Sequence, residues 1–199
     1  MQVYLKGAVL ALCLAFSAAA QADTITIDFE GLGDYEGITT QYQSSDVVFT
    51  GATALVSGAL GGTLNEIDFP PHSGDTVAFA DLATLEVSFL RPVVRVVGYF
   101  TYSGGPVTLT GRVGGTDVAS ATSTNVANLG APAANERIEL ADVTGFTSLF
   151  IAGAPDLQLT LDDLEITFGD APANPMPEPS LTLLAGVALV AAARVRRRS

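Results

Sequence analysis

Leu157-Gln158-Leu159-Thr160-Leu161-Asp162-Asp163-Leu164-Glu165-Ile166-Thr167-Phe168 decides the fold class of this chain. Leu157, Leu159 and Leu161 share one parity, while Leu164, Ile166 and Phe168 share the other. Successive side chains of a strand point to opposite faces, so each half reads as a strand with one face buried and one wet. The phase changes at Asp162-Asp163. A one-residue slip is what a β-bulge produces, and a bulge re-aims side chains. One carboxylate of this pair is therefore expected to point differently from its strand neighbours.

The same alternation recurs outward from this stretch. Thr24 to Glu30 places Ile25, Ile27 and Phe29 on one face, and Thr84 to Phe89 does so with Leu85, Val87 and Phe89. Val107 to Thr110, Arg137 to Leu140 and Ser148 to Ile151 repeat it. Val93 to Tyr102 is denser in apolar residues and reads as a central strand covered on both faces. Turn signals separate the runs: Gly31-Leu32-Gly33-Asp34, Gly61-Gly62, Ser73-Gly74-Asp75, Ser103-Gly104-Gly105-Pro106 and Gly114-Gly115. No stretch in this region carries a 3.6-residue period with caps. Many short strands between frequent turns predict an all-β, antiparallel sandwich or barrel. Ala119 to Asn135, rich in Ala, Ser, Thr and Asn, reads as a weak strand plus a long loop. Leu64 to His72 is polar and turn-forming; it reads as a structural turn, or as a loop at one mouth of the sandwich and hence a binding edge.

Both ends differ from the middle. Lys6, the apolar stretch Ala8 to Phe16 and Ala20-Gln21-Ala22 form a charged n-region, an h-region and an A-x-A cleavage site. Residues 1–22 are thus expected to be a signal peptide cut by signal peptidase, with the mature chain starting at Asp23. A lipidated Cys13 is the alternative, but Leu12 stands where a small residue belongs. Residues 171–180 form a Pro-rich, extended linker. Residues 181–199 contain an apolar run from Leu181 to Ala193 and then Arg194, Arg196, Arg197 and Arg198, which belong on the cytoplasmic side of a membrane. At 1.5 Å per residue the run reaches only ~20 Å, short of the ~30 Å hydrocarbon core. Such a span suits a temporary tether to the inner membrane better than a permanent transmembrane helix, the ordinary anchor being the alternative.

Between the ends, residues 23–170 have the size of one domain. They contain no Cys and no Trp, which excludes disulfides, zinc thiolates and a thiol nucleophile. Setting aside Lys6, the four terminal arginines and Glu178 leaves four arginines against 20 carboxylates, about −16. Phosphates of nucleic acid repel such a surface, so no nucleic-acid partner is expected. It favours cations, among which calcium is the plentiful hard one outside a cell.

The order Pro177-Glu178-Pro179, apolar run, arginines resembles the PEP-CTERM sorting signal of Gram-negative bacteria that make exopolysaccharide. The resemblance covers about the last tenth of the chain. It implies an exosortase partner that recognises the motif and removes the anchor, and release to the cell surface or extracellular matrix. Asp28-Phe29-Glu30-Gly31, His72-Ser73-Gly74 and Leu161-Asp162-Asp163-Leu164-Glu165-Ile166 resemble the opening, a middle turn and the closing strand of jelly-roll domains, including galactose-binding-like carbohydrate-binding modules and MAM-type domains. That resemblance implies a jelly-roll β-sandwich whose first and last strands are neighbours. It also implies a Ca2+ ion held by Glu30 and Asp163, with Asp28 and Asp162 behind them. The competing reading is a set of solvated acidic residues at strand ends.

Sugar binding needs flat aromatic faces beside polar groups, and Tyr99 and Tyr102 with Arg95 nearby are the candidates. Core or cross-strand packing is the competing reading. His72 is the only histidine and no G-x-S-x-G elbow is present, so no catalytic residues are assigned and the chain is read as a non-enzyme. The expected role is an exported structural or adhesive protein linked to exopolysaccharide or biofilm. A calcium-stabilised carbohydrate-binding module is the first alternative, and a glycan-active hydrolase the second. Mass spectrometry of the extracellular protein should find its last residue near Pro179; an extracellular form that keeps Arg198-Ser199 overturns the sorting reading.

Overall fold

The computed structural model describes residues 22–80, 84–153 and 158–169. The expected signal peptide up to residue 21, the linker with Pro177, Glu178 and Pro179, and the anchor with its four arginines lie outside the described residues. The described part is all-β: β1 (Thr24–Ile27), β2 (Gly37–Ile38), β3 (Val47–Thr50), β4 (Ala52–Val56), β5 (Thr76–Ala80), β6 (Thr84–Ser103), β7 (Thr108–Val113), β8 (Thr116–Thr122), β9 (Glu136–Ala152) and β10 (Gln158–Phe168). The strands pair antiparallel in the order β2-β4-β5-β10-β6-β9-β7-β8, with β1 added to β10 and β3 to β6.

Pairs of runs that read as separate strands are continuous. Thr84 to Phe89 and Val93 to Tyr102 are the two halves of β6; Arg137 to Leu140 and Ser148 to Ile151 are the two halves of β9. Twenty extended residues span about 65 Å, whereas a compact domain of this size is about 40 Å across, so β6 must bend. It bends where the ladder to β9 shifts register, between Ser88 and Arg95. Pro92, which has no N–H to give a ladder, lies in that interval. β9 turns at Gly145, whose φ of 80° is open to glycine at no steric cost. β10 slips between Asp162 and Glu165, at the phase change seen in the sequence.

Two of these strands change neighbour at the slip. Thr160 and Leu161 of β10 pair with β5, whereas Leu164 to Thr167 pair with β1. The first half of β6 pairs with β3 and the second half with β10. The sheet therefore folds over, as sheets do where strands cross between layers at bulges. A single core cluster joins the layers, taking Ala54, Ala78 and Leu161 from one and Val47, Val87 and Leu149 from the other. Phe89 and Phe146 meet edge to face at 6.0 Å.

β1 is shorter than the alternation predicts. It ends at Ile27, and Phe29 takes a left-handed φ of 61°. Burial explains why a bulky residue accepts that conformation. Phe29 is fully buried and packs edge to face against Phe49 at 5.7 Å and Tyr42 at 6.0 Å. Those contacts outweigh a strain of about 1–3 kcal/mol.

Ala119 to Asn135 contains most of β8 followed by a loop. Buried Asn128 stands in for a missing strand there: its Oδ1 accepts from the Tyr102 amide at 2.7 Å, and its Nδ2 donates to the Phe100 carbonyl at 2.7 Å. Phe146→Ala should cost about 3–5 kcal/mol in denaturant unfolding, because it leaves a cavity between the layers. Val143→Ala, at a position 97 % exposed, should stay within about 0.5 kcal/mol of the parent.

Candidate functional site

The face of β4, β5 and β10 that points away from the core is covered by the loop between β4 and β5. Leu159, Thr160, Leu161 and Asp162 are all buried in succession, which one covered face alone cannot produce. The core covers Leu159 and Leu161; the loop covers the other side. Carboxylates staple this loop. Asp34 accepts from the Val56 amide at 2.9 Å and from Thr63 Oγ1 at 3.0 Å. Glu66 accepts from the amides of Gly58 at 2.9 Å and Ala59 at 3.1 Å. Both carboxyls lie below their ordinary range: the Val56 amide holds Asp34 there, and its own backbone with the Gly58 amide holds Glu66 there.

The far end of the loop is clamped by the acidic residues singled out in the sequence. Asp162 Oδ2 accepts from the amides of His72 at 2.7 Å and Ser73 at 2.9 Å, and Oδ1 accepts from Asp163 N at 2.7 Å. The left-handed Asp163, φ 45°, turns its carboxylate the other way. It meets His72 Nδ1 at 2.6 Å and accepts from Ser73 Oγ at 3.0 Å. Glu30 Oε1 accepts from the amides of Asp75 and Thr76, both at 2.9 Å. Position 74 admits only glycine, because a Cβ there would lie 2.3 Å from Glu30 Oε1 at a φ of 54°. Asp28 closes its own turn by accepting from the Glu30 amide at 3.2 Å.

The structure thus brings Glu30, Asp162 and Asp163 to one turn, but as a hydrogen-bond clamp on residues 72–76. Of the four residues expected to hold calcium, Glu30, Asp162 and Asp163 direct oxygens at N–H and O–H donors of residues 72–76, and Asp28 at the Glu30 amide.

The residues expected to form a sugar platform are not brought to one face, and Tyr102 is corrected to a core residue. Tyr102 is fully buried; its hydroxyl donates to Glu136, and burial pushes it up to about 12. It belongs to the core because its parity on β6 matches Phe100. Tyr99 lies on the outer face, but the His72 ring stacks on it at 3.5 Å and 11° and takes that face. Arg95 is held between Glu139, at 2.7 Å, and Glu165. Arg95, followed by Arg137, draws the Glu139 carboxyl down to about 2.

What the loop does form is a pocket of about 110 Å3 lined by Leu55, Leu64, Asn65, Phe69, Phe79, Gln158 and Thr160. Register places Phe79 between Thr53 and Thr160 on the outer face. Phe69 and Leu64 come from the loop, which Asn135 Nδ2 fixes by donating to the Pro70 carbonyl at 3.1 Å. Asn65 Nδ2 donates to Asp68 at 2.8 Å, and both Asn65 and Gln158 are exposed. Two aromatic rings beside two amides suit a ligand with both C–H and hydroxyl surfaces. The polarity of Leu64 to His72 signals the loop in the sequence. Nothing local signals Phe79 or Gln158, because alternation does not say that an outward face will be covered.

No family model matches the chain, and no curated protein does. Among solved structures it is similar to TmCBM61 in complex with β-1,4-galactotriose, with 13% identity over 69% of this chain and 100% of that one and a TM-score of 0.35. It is also similar to the CBM22-1–GH10 modules of Clostridium thermocellum endo-1,4-β-D-xylanase 10B complexed with xylohexaose, with 14% identity over 75% of this chain and 28% of that one and a TM-score of 0.32.

Asp162 gives the clamp a pH signature. Burial outweighs the Ser73 amide, and with the Asp163 charge it leaves the Asp162 carboxyl at about 6, above the ordinary 3.8. A raised carboxyl binds its proton more tightly in the folded state, so this group adds stability as pH falls from about 7 toward 4. Melting temperatures of parent and Asp162→Asn should therefore diverge in favour of the parent over that window; a constant difference contradicts the assignment.

Proposed function

We propose that the chain is an exported, non-catalytic cell-surface or matrix protein whose β-domain binds carbohydrate in the Phe69–Phe79 pocket. The observation that carries this reading is the pocket wall itself. Two half-buried phenylalanine rings offer apolar faces for sugar C–H groups, and Asn65, Gln158 and Thr160 offer polar atoms at the rim. No carboxylate and no histidine lines it. Glycoside cleavage ordinarily needs two carboxyl groups flanking the bond, so the wall supports holding a sugar rather than hydrolysing one.

In this reading the folded-over sheet is a jelly-roll sandwich, with β1 and β10 as its paired first and last strands. The sorting tail delivers it: a signal peptide starts export in a Gram-negative cell, an exosortase removes the membrane anchor, and the domain is left at the surface or in the matrix, on exopolysaccharide. Adhesion then follows from the pocket, and the clamp on residues 72–76 keeps the pocket wall in place.

Phe79→Ala in the full-length chain should weaken polysaccharide pull-down about fivefold, the loss of ~1 kcal/mol expected for one aromatic contact. Arg95→Ala, whose side chain lies in surface ion pairs away from the pocket, should leave pull-down unchanged. Equal loss in both variants, or release of reducing ends from the polysaccharide, sinks the proposal.

A further inference from the structure

The carbohydrate reading of the pocket leaves open which sugars it takes, and the charge layout of the domain narrows that choice. Residues 23–170 carry four arginines and no lysine. Every one of those arginines is already engaged. Arg91 meets Asp23 and Asp46, Arg95 meets Glu139 and Glu165, Arg112 meets Asp117 at 2.6 Å, and Arg137 meets Glu139 at 2.6 Å. Two are committed further, with Arg91 lying over the Phe168 ring at 3.7 Å and Arg112 over Phe150 at 4.2 Å.

None of these cations lines the pocket. The carboxylates on its own loop are Glu66, Asp68 and Asp75, and the loop carries no lysine or arginine. A uronate, sulfate or phosphate group brought here would shed hydration and find no cation in return. It would also enter the field of a strongly acidic domain. A neutral sugar meets neither cost. Its C–H faces lie on Phe69 and Phe79. Its hydroxyls would meet the rim amides of Asn65 and Gln158, and the Gln158 side chain has no hydrogen bond among the described residues. The volume of about 110 Å3 falls below the roughly 300 Å3 at which sites for larger ligands begin, so the pocket takes one ring rather than a stretch of chain.

We propose that the pocket between Phe69 and Phe79 takes one neutral hexopyranose unit and discriminates against its uronic-acid counterpart.

The test uses the full-length chain in a detergent without a sugar headgroup. Methyl β-D-galactopyranoside and methyl β-D-glucopyranoside are titrated by saturation-transfer NMR, each against its uronic-acid analogue. At low salt the uronate should bind at least about tenfold more weakly than its neutral partner, and high salt should narrow the gap by screening the repulsion. Gln158→Ala, at an exposed position, should weaken neutral-sugar binding without lowering the melting temperature, whereas Asn65→Arg should raise uronate affinity by adding a cation at the rim. Uronate binding equal to or tighter than the neutral sugar overturns the discrimination while leaving the pocket as a sugar site. Absence of binding by all four glycosides, or binding indifferent to both Phe79→Ala and Gln158→Ala, overturns the carbohydrate reading and this inference with it.

Discussion

A carboxylate that is 1 % exposed in the middle of a central strand must be supplied with donors, and Asp162 has three amides. That interaction is the joint of the molecule. It sits where β10 leaves β5 and takes up β1, so it marks the place where one layer hands the strand to the next edge. It also holds His72 and Ser73, near the end of the loop that covers the outer face. An unpartnered carboxylate here would be expelled or protonated, because removing one partner from a buried charged group costs several kcal/mol. The bulge, the handover between strands and the covering loop are therefore one arrangement and not three.

The acidic surplus acquires a different meaning in this light. Excess carboxylate keeps a protein soluble, but several of the carboxylates here are structural. Asp34, Glu66, Glu30, Asp162 and Asp163 all accept from backbone amides or side chains of a segment with little regular structure of its own. A loop has no ladder to satisfy its N–H groups, and carboxylates supply the acceptors instead. The same use of side chains in place of a strand recurs at Asn128, which bonds the main chain of β6 at both Phe100 and Tyr102.

Alternation made the strands legible, since inward-facing residues such as Leu85, Val87 and Leu161 must reach one core. The phase change at Asp162-Asp163 made the bulge legible. It could not show that β6 and β9 run on through their own slips, because Pro92 and Gly145 look like strand ends when read locally. Tyr102 was misplaced for the same reason: parity on a strand is known only after the slip near Pro92 is located. The clamp residues were visible, but their partners were not. Glu30 and Asp163 lie far apart in sequence, and only the paired β1 and β10 show that both converge on residues 72–76. Carboxylates gathered at strand ends do not show in a sequence which amides will lie opposite them.

The pocket depends on this same distinction between exposed and covered faces. Phe79 and Thr160 are on the outward side of the sheet, where alternation predicts wet, polar residues, yet Thr160 is buried and Phe79 half-buried. An aromatic ring on an outward position gains little unless something lies over it, and the loop with Phe69 and Leu64 does so only in part. The loop is not free to collapse further, because Asn135, Asp162 and Asp34 hold it at fixed points on the frame. A wall held open by polar anchors, with apolar rings inside and amides at its edge, is a surface that costs stability to maintain. In the proposed reading that cost is offset by a ligand that is apolar on one face and hydroxylated at its edge.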